Sequence, residues 1–312
     1  MGYAVVLGEA LVDLLETDLD GELIYRQAIG GGPLNVAVGA TRLGGDVQFA
    51  GSLGSDTLGD RIAAFLRRVD VGTVAVQRVR VPTTLAVTTF EGAEPTFQFY
   101  GEPPSYSLLA PDHLDPALVA RAAVLYAGSI SLMREPFQSA ARKAWSLDGP
   151  LRVFDPNVRP KLLPDRPAVT ALRELVESYF TTAHLVKLSS ADAEVLYDGA
   201  GPEAAAERIL GLGAGSVVVT WGSRGAYVAT PDGGAMLPAP SVTAIDATGA
   251  GDSVMAALIR RLLADGLPAD LAAWQRNVRF ALAVAGLVCE RQGGATAMPT
   301  NEELTERWGA LV

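Results

Sequence analysis

The stretch Val242-Thr-Ala-Ile-Asp-Ala-Thr-Gly-Ala-Gly-Asp-Ser-Val-Met-Ala-Ala-Leu-Ile259 is the most informative part of this chain of 312 residues. Residues 242–245 have the pattern of a short strand, the two glycines predict a tight turn, and the apolar residues after Asp252 predict a long helix. The free amides of Ala250, Gly251 and Asp252 would converge at the positive end of the helix dipole. The segment therefore predicts a strand, a glycine turn that binds an anion, and a helix start.

The rest of the chain alternates short apolar runs with helical periodicity, which predicts a parallel α/β sheet. Buried-strand patterns occur at Tyr3–Leu7, Val124–Ala127, Leu151–Phe154, His184–Leu188 and Ser216–Thr220. Helical patterns occur at Leu34–Leu43, Asp60–Val69, Glu135–Leu147, Ala168–Phe180, Pro202–Leu210, Asp252–Ala264 and Leu271–Glu290.

Two stretches, residues 14–29 and 82–100, break this alternation and have the pattern of β-hairpins. Neither hairpin could bury a core alone, so we expect them to pair into a small antiparallel sheet that projects over the main domain as a lid. An exposed edge with apolar residues would favour pairing with a second lid, so we expect a homodimer through the lid.

Composition excludes several classes of protein. The formal charge of −10 argues against a nucleic-acid partner, and no apolar run approaches the length of a membrane span. Five apolar-leaning residues precede Gly8 without a basic segment, so we expect no secretory signal. The one cysteine, Cys289, lies in an apolar run typical of a buried thiol, which favours a reducing, cytoplasmic setting.

Asp252 has the position of a catalytic base. Lysine is scarce and no Gly-x-x-x-x-Gly-Lys-Ser/Thr loop occurs, which excludes that kind of phosphate cradle. Amides at Gly249–Asp252 would instead stabilise the charge of a transferring phosphoryl group, while the Asp252 carboxylate accepts the proton of an attacking hydroxyl. The alternative is that Asp252 is an ordinary helix N-cap.

A second glycine-rich segment, Gly30-Gly-Gly-Pro-Leu-Asn35, precedes a predicted helix. A dinucleotide-binding loop would need a third glycine where Asn35 stands and an acidic residue near Gly51, so a Rossmann dehydrogenase is disfavoured. Asp13, Gly31 and Asn35 instead supply the carboxylate and amide groups that hold the hydroxyls of a polyol. The alternative is a helix cap for Asn35 and a solvated turn for Asp13.

Both glycine segments resemble the signatures of the ribokinase-like (PfkB) carbohydrate kinases, and the similarity runs from Leu7 to Thr300. The resemblance implies one kinase domain over residues 1–312, with a three-layer α/β/α core, a mostly parallel central sheet and a small β-sheet lid. It implies transfer of the γ-phosphoryl group of Mg-ATP to a sugar hydroxyl. The residues it assigns to catalysis are Gly249, Ala250, Gly251 and Asp252, and those it assigns to the sugar are Asp13, Gly30, Gly31 and Asn35.

Three further strings are most similar to the fructokinase and 2-keto-3-deoxygluconate kinase branch of that family: Phe154-Asp-Pro-Asn-Val-Arg159, Ala127-Gly-Ser-Ile-Ser-Leu132 and Phe97-Gln-Phe-Tyr100. They add Phe97, Tyr100 and Arg159 as substrate contacts, although strand packing and a surface ion pair are alternatives. We expect a fructokinase. The other readings are 2-keto-3-deoxygluconate kinase, ribokinase or nucleoside kinase, and a non-catalytic sugar-binding protein.

The resemblance also places the nucleotide. It assigns Thr220, Gly222 and Gly225 to ATP, together with Gly251 and Lys187, and it assigns oxygens of Asp246 and Thr248 to a monovalent cation such as K⁺. Relatives carry Asn-x-x-Glu for Mg²⁺ contacts through water, where this chain has Ser189-Ser-Ala-Asp192. Leu282 also replaces an asparagine near the expected adenine. Asp192 is therefore the candidate for water-mediated Mg²⁺ binding.

Overall fold

The computed structural model describes residues 2–91 and 94–309, and it describes their side chains except at 89–91 and 94–97. The strands of these residues are β1 Ala4–Leu7, β2 Leu11–Leu19, β3 Glu22–Gly30, β4 Val47–Gly54, β5 Gly72–Val79, β6 Leu85–Glu91, β7 Glu94–Tyr100, β8 Val124–Gly128, β9 Leu151–Asp155, β10 Leu185–Ser189, β11 Val217–Thr220, β12 Ala226–Thr230 and β13 Gly233–Leu237. The helices are α1 Gly32–Arg42, α2 Thr57–Arg68, α3 Pro116–Ala120, α4 Phe137–Trp145, α5 Arg166–Phe180, α6 Ser190–Leu196, α7 Pro202–Gly211, α8 Ala250–Asp265, α9 Leu271–Cys289 and α10 Asn301–Trp308.

A nine-stranded sheet forms the centre of the molecule, in the order β13-β12-β11-β10-β9-β8-β1-β4-β5. The strands from β11 to β5 are parallel, and β12 and β13 are antiparallel at one edge. The five strands predicted from apolar runs are β1, β8, β9, β10 and β11. They are consecutive in the sheet, in the order β11-β10-β9-β8-β1. The prediction of a mostly parallel α/β sheet is confirmed.

Both faces of the large sheet are covered by helices, which explains why its central strands are apolar on both sides. In β1, Ala4 and Val6 belong to the core under α1, α2, α8, α9 and α10. Val5 and Leu7 belong to the opposite core, under α3 to α7. The chain thus has three layers, α/β/α, as expected. Within the described residues, no helix has the length and apolar character needed to cross a membrane.

A second sheet of four strands, in the order β3-β2-β6-β7, is built from the two predicted hairpins. Each hairpin is antiparallel, whereas β2 and β6 pair in parallel, so the sheet is mixed at its centre. Its register aligns Asp13 with Ala28 on one side and Ala86 on the other, and Ala86 in turn with Phe99. Because alternate residues face opposite sides of a sheet, these four residues share one face.

The predicted strand at residues 242–245 is wrong. The segment is irregular, and the amides of Ile245 and Asp246 both donate to the carbonyl of Cys289, at 2.7 and 3.2 Å. These bonds tie the segment to the end of α9 rather than to a neighbouring strand. Helix α8 then begins at Ala250, two residues before the predicted start at Asp252.

Candidate active site

The candidate site lies at the carboxyl ends of four neighbouring strands, β10, β9, β8 and β1. The chain leaves β1 towards β4 on one side and later returns through β8 on the other, so the strand order reverses between β1 and β8. Ligands of open α/β sheets bind in the crevice at such a point. Asp155 ends β9, and Ser129 directly follows β8.

The start of α8 carries the predicted base. Gly249 adopts a positive φ of 79°, a left-handed conformation that favours glycine, and forms the N-cap without a side-chain bond. The amide of Ala250 donates to the carbonyl of Ala247 at 3.1 Å, so the open amides at this helix start are those of Gly251 and Asp252. Asp252 is 8% exposed. Because Gly249 is the N-cap, Asp252 is not, and its carboxylate makes its hydrogen bond to another segment.

Asn35 holds the Asp252 carboxylate. Its Nδ2 donates to Asp252 Oδ2 at 2.8 Å, across a separation of 217 residues. Asn35 lies in the first turn of α1, where its own amide donates to the carbonyl of Gly31 at 2.9 Å. The structure therefore brings the two glycine-rich segments of the sequence into one site.

A buried ion pair lies beside these residues. Lys187 Nζ donates to Asp155 Oδ2 at 2.8 Å, and both side chains are almost completely buried. Burial raises the pKa of Asp155 to about 6, although Lys187 opposes the shift. Burial disfavours the ammonium of Lys187, but the carboxylates of Asp155, Asp192 and Asp252 outweigh it and raise its pKa. A Cβ atom at Gly251 would lie 3.1 Å from Lys187 Nζ, so a positive charge lies next to the open amides.

The glycines that precede α1 allow close approach of polar side chains. Gly31 has a φ of 116°, and a Cβ there would collide with the carbonyl of Glu9. Side chains at Gly30 and Gly32 would collide with the Asp13 carboxylate and with Asn157 Nδ2, respectively. Predicted substrate residues Asp13, Gly30, Gly31 and Asn35 are therefore neighbours in the structure.

Two amide atoms at this position have no hydrogen-bond partner within the described residues, Asn35 Oδ1 and Asn157 Nδ2. Buried polar atoms are normally paired, so these atoms are suited to the hydroxyls of a ligand. Burial raises the pKa of Asp13 to about 6, while the positive charge of Arg159 lowers it. Arg159 Nη1 also donates to Asn157 Oδ1 at 2.6 Å, which fixes the orientation of that amide.

Glu9 was not predicted as a site residue, yet it lies at the strand-order reversal and is only 2% exposed. Its carboxylate accepts from Ser129 Oγ at 2.6 Å and from Ser131 Oγ at 3.0 Å. Burial raises its pKa, although the bond from Ser129 opposes the shift. Glu9 therefore ties the loop after β1 to the turn after β8. An acid two residues after a buried strand was the available sequence signal.

Tyr126 was also missed. It lies on β8, its side chain is completely buried, and its hydroxyl has no partner within the described residues. Burial raises its pKa well above the ordinary value, and Asp155, Asp252 and Glu9 add to the shift. An aromatic residue inside an apolar strand gives no sign in the sequence that three carboxylates raise the pKa of its hydroxyl.

The lid residues separate by register. Tyr100 pairs with Leu85, one position along from the row of Asp13, Ala86 and Phe99, so its side chain lies on the other face and is 48% exposed. Phe99 packs against Ala86 on the face of Asp13. The side chain of Phe97 lies outside the described part of the chain. The register therefore favours Phe99, the neighbour of the predicted Tyr100, as the residue that faces the sugar.

The predicted nucleotide loop follows β11. Thr220 pairs with Ser189 at the end of β10, two residues from Lys187. Gly222 and Gly225 both have positive φ, at 53° and 103°, and the amide of Trp221 donates to the carbonyl of Gly225 at 2.7 Å. The loop therefore turns back sharply beside Lys187. Leu282, where relatives have asparagine, is buried in the core of α9.

Of the three predicted cation residues, the two carboxylates, Asp192 and Asp246, accept hydrogen bonds from backbone amides. Asp192 accepts from the amides of Val158 at 2.9 Å and Ser189 at 2.8 Å, one at each oxygen. Asp246 accepts from the amides of Thr248 at 2.8 Å and Gly293 at 2.9 Å. Between residues 2–91 and 94–309, no cluster of three acidic, histidine or cysteine side chains could hold a metal. These residues do not fit a direct Mg²⁺ ligand set.

The crevice of this three-layer fold contains open amides at a helix start, the Asp252 carboxylate bound by Asn35, and unpaired amide atoms that suit a polyol. This combination defines a class of phosphotransferases that act on hydroxyl groups. The model of the pfkB family of carbohydrate kinases matches residues 1–301. The chain belongs to that family, and the resemblance inferred from its motifs is confirmed.

Known relatives cover almost the whole chain. A fructokinase from Klebsiella pneumoniae is 34% identical over 97% of this chain and 98% of its own length. A crystal structure of fructokinase with bound ATP from Xylella fastidiosa matches with a TM-score of 0.88 and 29% identity, over 97% of both chains. A fructokinase from Vibrio cholerae O395 in fructose, ADP and calcium ion bound form matches with a TM-score of 0.85 and 28% identity, over 98% of both chains.

Proposed function

We propose that this carbohydrate kinase is a fructokinase that transfers the γ-phosphoryl group of ATP to a hydroxyl of fructose. The observation that carries the proposal is the Asp252 carboxylate, held by Asn35 at 2.8 Å beside two open helix amides. The relatives that match nearly the full chain are fructokinases, one of them with bound ATP and one with bound fructose and ADP.

In this mechanism, Asp252 accepts the proton of the attacking sugar hydroxyl. The amides of Gly251 and Asp252 and the ammonium of Lys187 stabilise the negative charge on the transferring phosphoryl group. Asp13, Asn35, Asn157 and Gly31 hold the other sugar hydroxyls, which aligns the reacting oxygen. Asn35 contributes twice, because it binds Asp252 through Nδ2 and leaves Oδ1 for the sugar.

The charges of the site favour a neutral sugar over 2-keto-3-deoxygluconate, the second candidate substrate. Glu9, Asp13 and Asp252 place three carboxylates at the sugar end. In the lid region, Arg134 pairs with Glu102 at 3.2 Å. The carboxylate of 2-keto-3-deoxygluconate would therefore lie near these negative charges, with Arg159 as the cation that faces it. Like charges in close contact disfavour binding.

In the proposed complex, ATP binds against Lys187, Thr220, Gly222, Gly225 and Gly251. Mg²⁺ would supply positive charge that neutralises the phosphates of ATP. Because Asp192 already accepts two backbone amides, we derive no step through it. Asp246 and Thr248 remain candidates for a monovalent cation such as K⁺, and Asp246 also fastens its loop to Gly293.

We further propose that the four-stranded sheet, which consists of β2, β3, β6 and β7, acts as a lid over the sugar and as a dimer interface. Leu19, Leu23 and Tyr25 are exposed apolar side chains at the β2–β3 hairpin, which supports pairing with a second lid. Light scattering should give twice the mass of one chain. A cytoplasmic setting agrees with the single free cysteine.

The test is a panel of sugars with Mg-ATP, with ADP release followed for the wild type and Asp252→Asn. We expect fructose to give the highest kcat/KM and the substitution to lower kcat by about 10²- to 10⁴-fold, with little change in fructose binding. Asp60→Asn, an exposed acid that pairs with Arg78, is the matched control. Equal turnover of Asp252→Asn and the wild type would exclude this mechanism, and preference for 2-keto-3-deoxygluconate would move the protein to the second candidate.

A further inference from the structure

A recess lies between the C-terminal end of α8 and the first half of α9, and we name it the α8–α9 pocket. It has a volume of about 580 Å³, and its polar side chains are Arg261, Asp265, Arg276, Asn277 and Arg279. The loop from Gly266 to Ala269 closes one side. A volume of this size suits a small molecule.

The three arginines of the α8–α9 pocket are among the arginines that form no ion pair within the described residues. Eight arginines form ion pairs with carboxylates: Arg42, Arg78, Arg134, Arg166, Arg173, Arg208, Arg291 and Arg307. Over the described part of the chain, Arg261, Arg276 and Arg279 form none, although the protein carries a formal charge of −10. Asp265, the one acid of the pocket, lies one turn from Arg261 without an ion pair.

Arg261 is held in place. Its guanidinium lies over the ring of Phe280 at 4.1 Å from the centroid, and its Nε is buried without a partner in the described residues. A guanidinium fixed by stacking loses less conformational freedom when it binds a ligand. Buried N–H groups are normally paired, so this atom has an unused donor.

The charges around the α8–α9 pocket favour an anion, because three arginines and one acid line it. Three guanidiniums around one recess repel each other, and a bound anion would relieve that repulsion. Arginine binds phosphate through two parallel N–H donors, which remain available where no carboxylate pairs with them. Asn277 adds a neutral amide that can donate or accept beside them.

We propose that the α8–α9 pocket binds a small phosphate-bearing metabolite. The site is separate from the active site, because Asp265 lies 13 residues beyond Asp252 on α8, about 20 Å at the rise of an α-helix. The occupant would contact the end of α8 opposite to Asp252. A recess with three arginines in an acidic protein fits a compact phosphate ester rather than the extended backbone of a nucleic acid.

The test uses wild-type protein saturated with a non-hydrolysable ATP analogue, so that the anion-binding start of α8 is already filled. Inorganic pyrophosphate is titrated into it by calorimetry at low salt. We expect saturable binding at one site, with affinity that falls as salt is added. Fructose 6-phosphate and AMP in parallel titrations distinguish a sugar ester from a nucleotide as the source of the phosphate.

The double variant Arg276→Gln/Arg279→Gln should bind pyrophosphate at least tenfold more weakly than the wild type. The matched control is Arg67→Gln/Arg121→Gln, which removes the same charge at two exposed arginines outside the pocket. Both should keep wild-type turnover and thermal stability. No saturable binding to the wild type, equal weakening in the control, or tighter binding of a short DNA duplex than of any phosphate ester would overturn the proposal, whatever the sugar specificity of the active site.

Discussion

The start of α8 and the loops around β1 form the two ends of the cleft, and they differ in charge and in construction. At the α8 end, two backbone amides and Lys187 provide positive charge, and most of these groups come from one continuous segment. At the β1 end, Glu9 and Asp13 provide carboxylates from one segment, and Asn157 provides an amide from a distant one. Contiguous backbone motifs can be recognised in a sequence, whereas side-chain clusters depend on which strands become neighbours.

The largest expected effect concerns the positive charge of the α8 end. Lys187→Met should lower kcat by about 10²- to 10³-fold, because a charge beside the transferring group is lost. It should also lower the free energy of unfolding by roughly 3–5 kcal/mol, because Asp155 remains buried without its partner. Turnover assays and urea denaturation measure the two effects.

The double variant Lys187→Met/Asp155→Asn separates these effects, since it removes both charges of the pair. Most of the stability should return while turnover stays low. Recovery of turnover in the double variant would show that Lys187 acts only as a structural partner of Asp155.

At the β1 end, the ionisation of Asp13 should set the acid limit of sugar binding. Its pKa of about 6 means that the KM for the sugar rises as the pH falls below 6, because the protonated acid loses an acceptor. Asp13→Asn should remove this pH dependence and lower kcat/KM at pH 8 by about tenfold to a hundredfold. Steady-state kinetics from pH 5 to pH 8 check both results.

The same substitution should stabilise the fold at high pH. The pKa of Asp13 is raised from 3.8 to about 6 in the folded protein, so the folded state retains its proton more readily and the free energy of unfolding falls as the pH rises through this range. The difference corresponds to roughly 3 kcal/mol at most. A variant that is less stable than the wild type at pH 8 would contradict the buried-charge explanation.

A smaller effect should follow from loosening the loop after β1. Glu9→Ala removes the acceptor of Ser129 and Ser131, and we expect the KM for the sugar to rise about tenfold, since two hydrogen bonds to a charged group are lost. Glu9→Gln keeps an acceptor and should raise the KM for the sugar about threefold. Glu102→Gln, at an exposed acid, is the control and should leave KM unchanged. Equal KM values for all three variants would rule out a positioning role for Glu9.

The smallest expected effect distinguishes two neighbours in the lid. Phe99→Ala should raise the KM for the sugar about threefold, because it removes apolar contact on the face of Asp13. Tyr100→Ala, on the opposite face, should change it less than twofold. The reverse order would mean that β7 is shifted by one residue when the sugar is bound.

Much of the fold was predictable because its central strands are continuous apolar runs. The strands β4 and β5 were missed, since glycine, serine and glutamine interrupt β4 and β5 is half exposed. The segment at 242–245 has the composition of a strand, but contact with the end of α9 determines its conformation. Local composition does not report such distant contacts.

The candidate site follows the same rule. Asp252 and Asn35 were predictable because each lies in its own glycine-rich segment. Asp155 and Lys187 are visible in the sequence as charges at apolar strands, yet their pairing requires β9 and β10 to be neighbours. Glu9 requires in addition that β1 and β8 are adjacent. Topology, rather than residue type, supplies this part of the site.

The bond between Asn35 and Asp252 also has a consequence for protein synthesis. The two residues are 217 positions apart, so a ribosome adding about 5–20 residues each second needs roughly 10–40 s to pass from one to the other. During that interval, the nascent chain carries Asn35 without Asp252 or the amides of α8. On the proposed mechanism, a chain that terminates before α8 therefore cannot transfer a phosphoryl group.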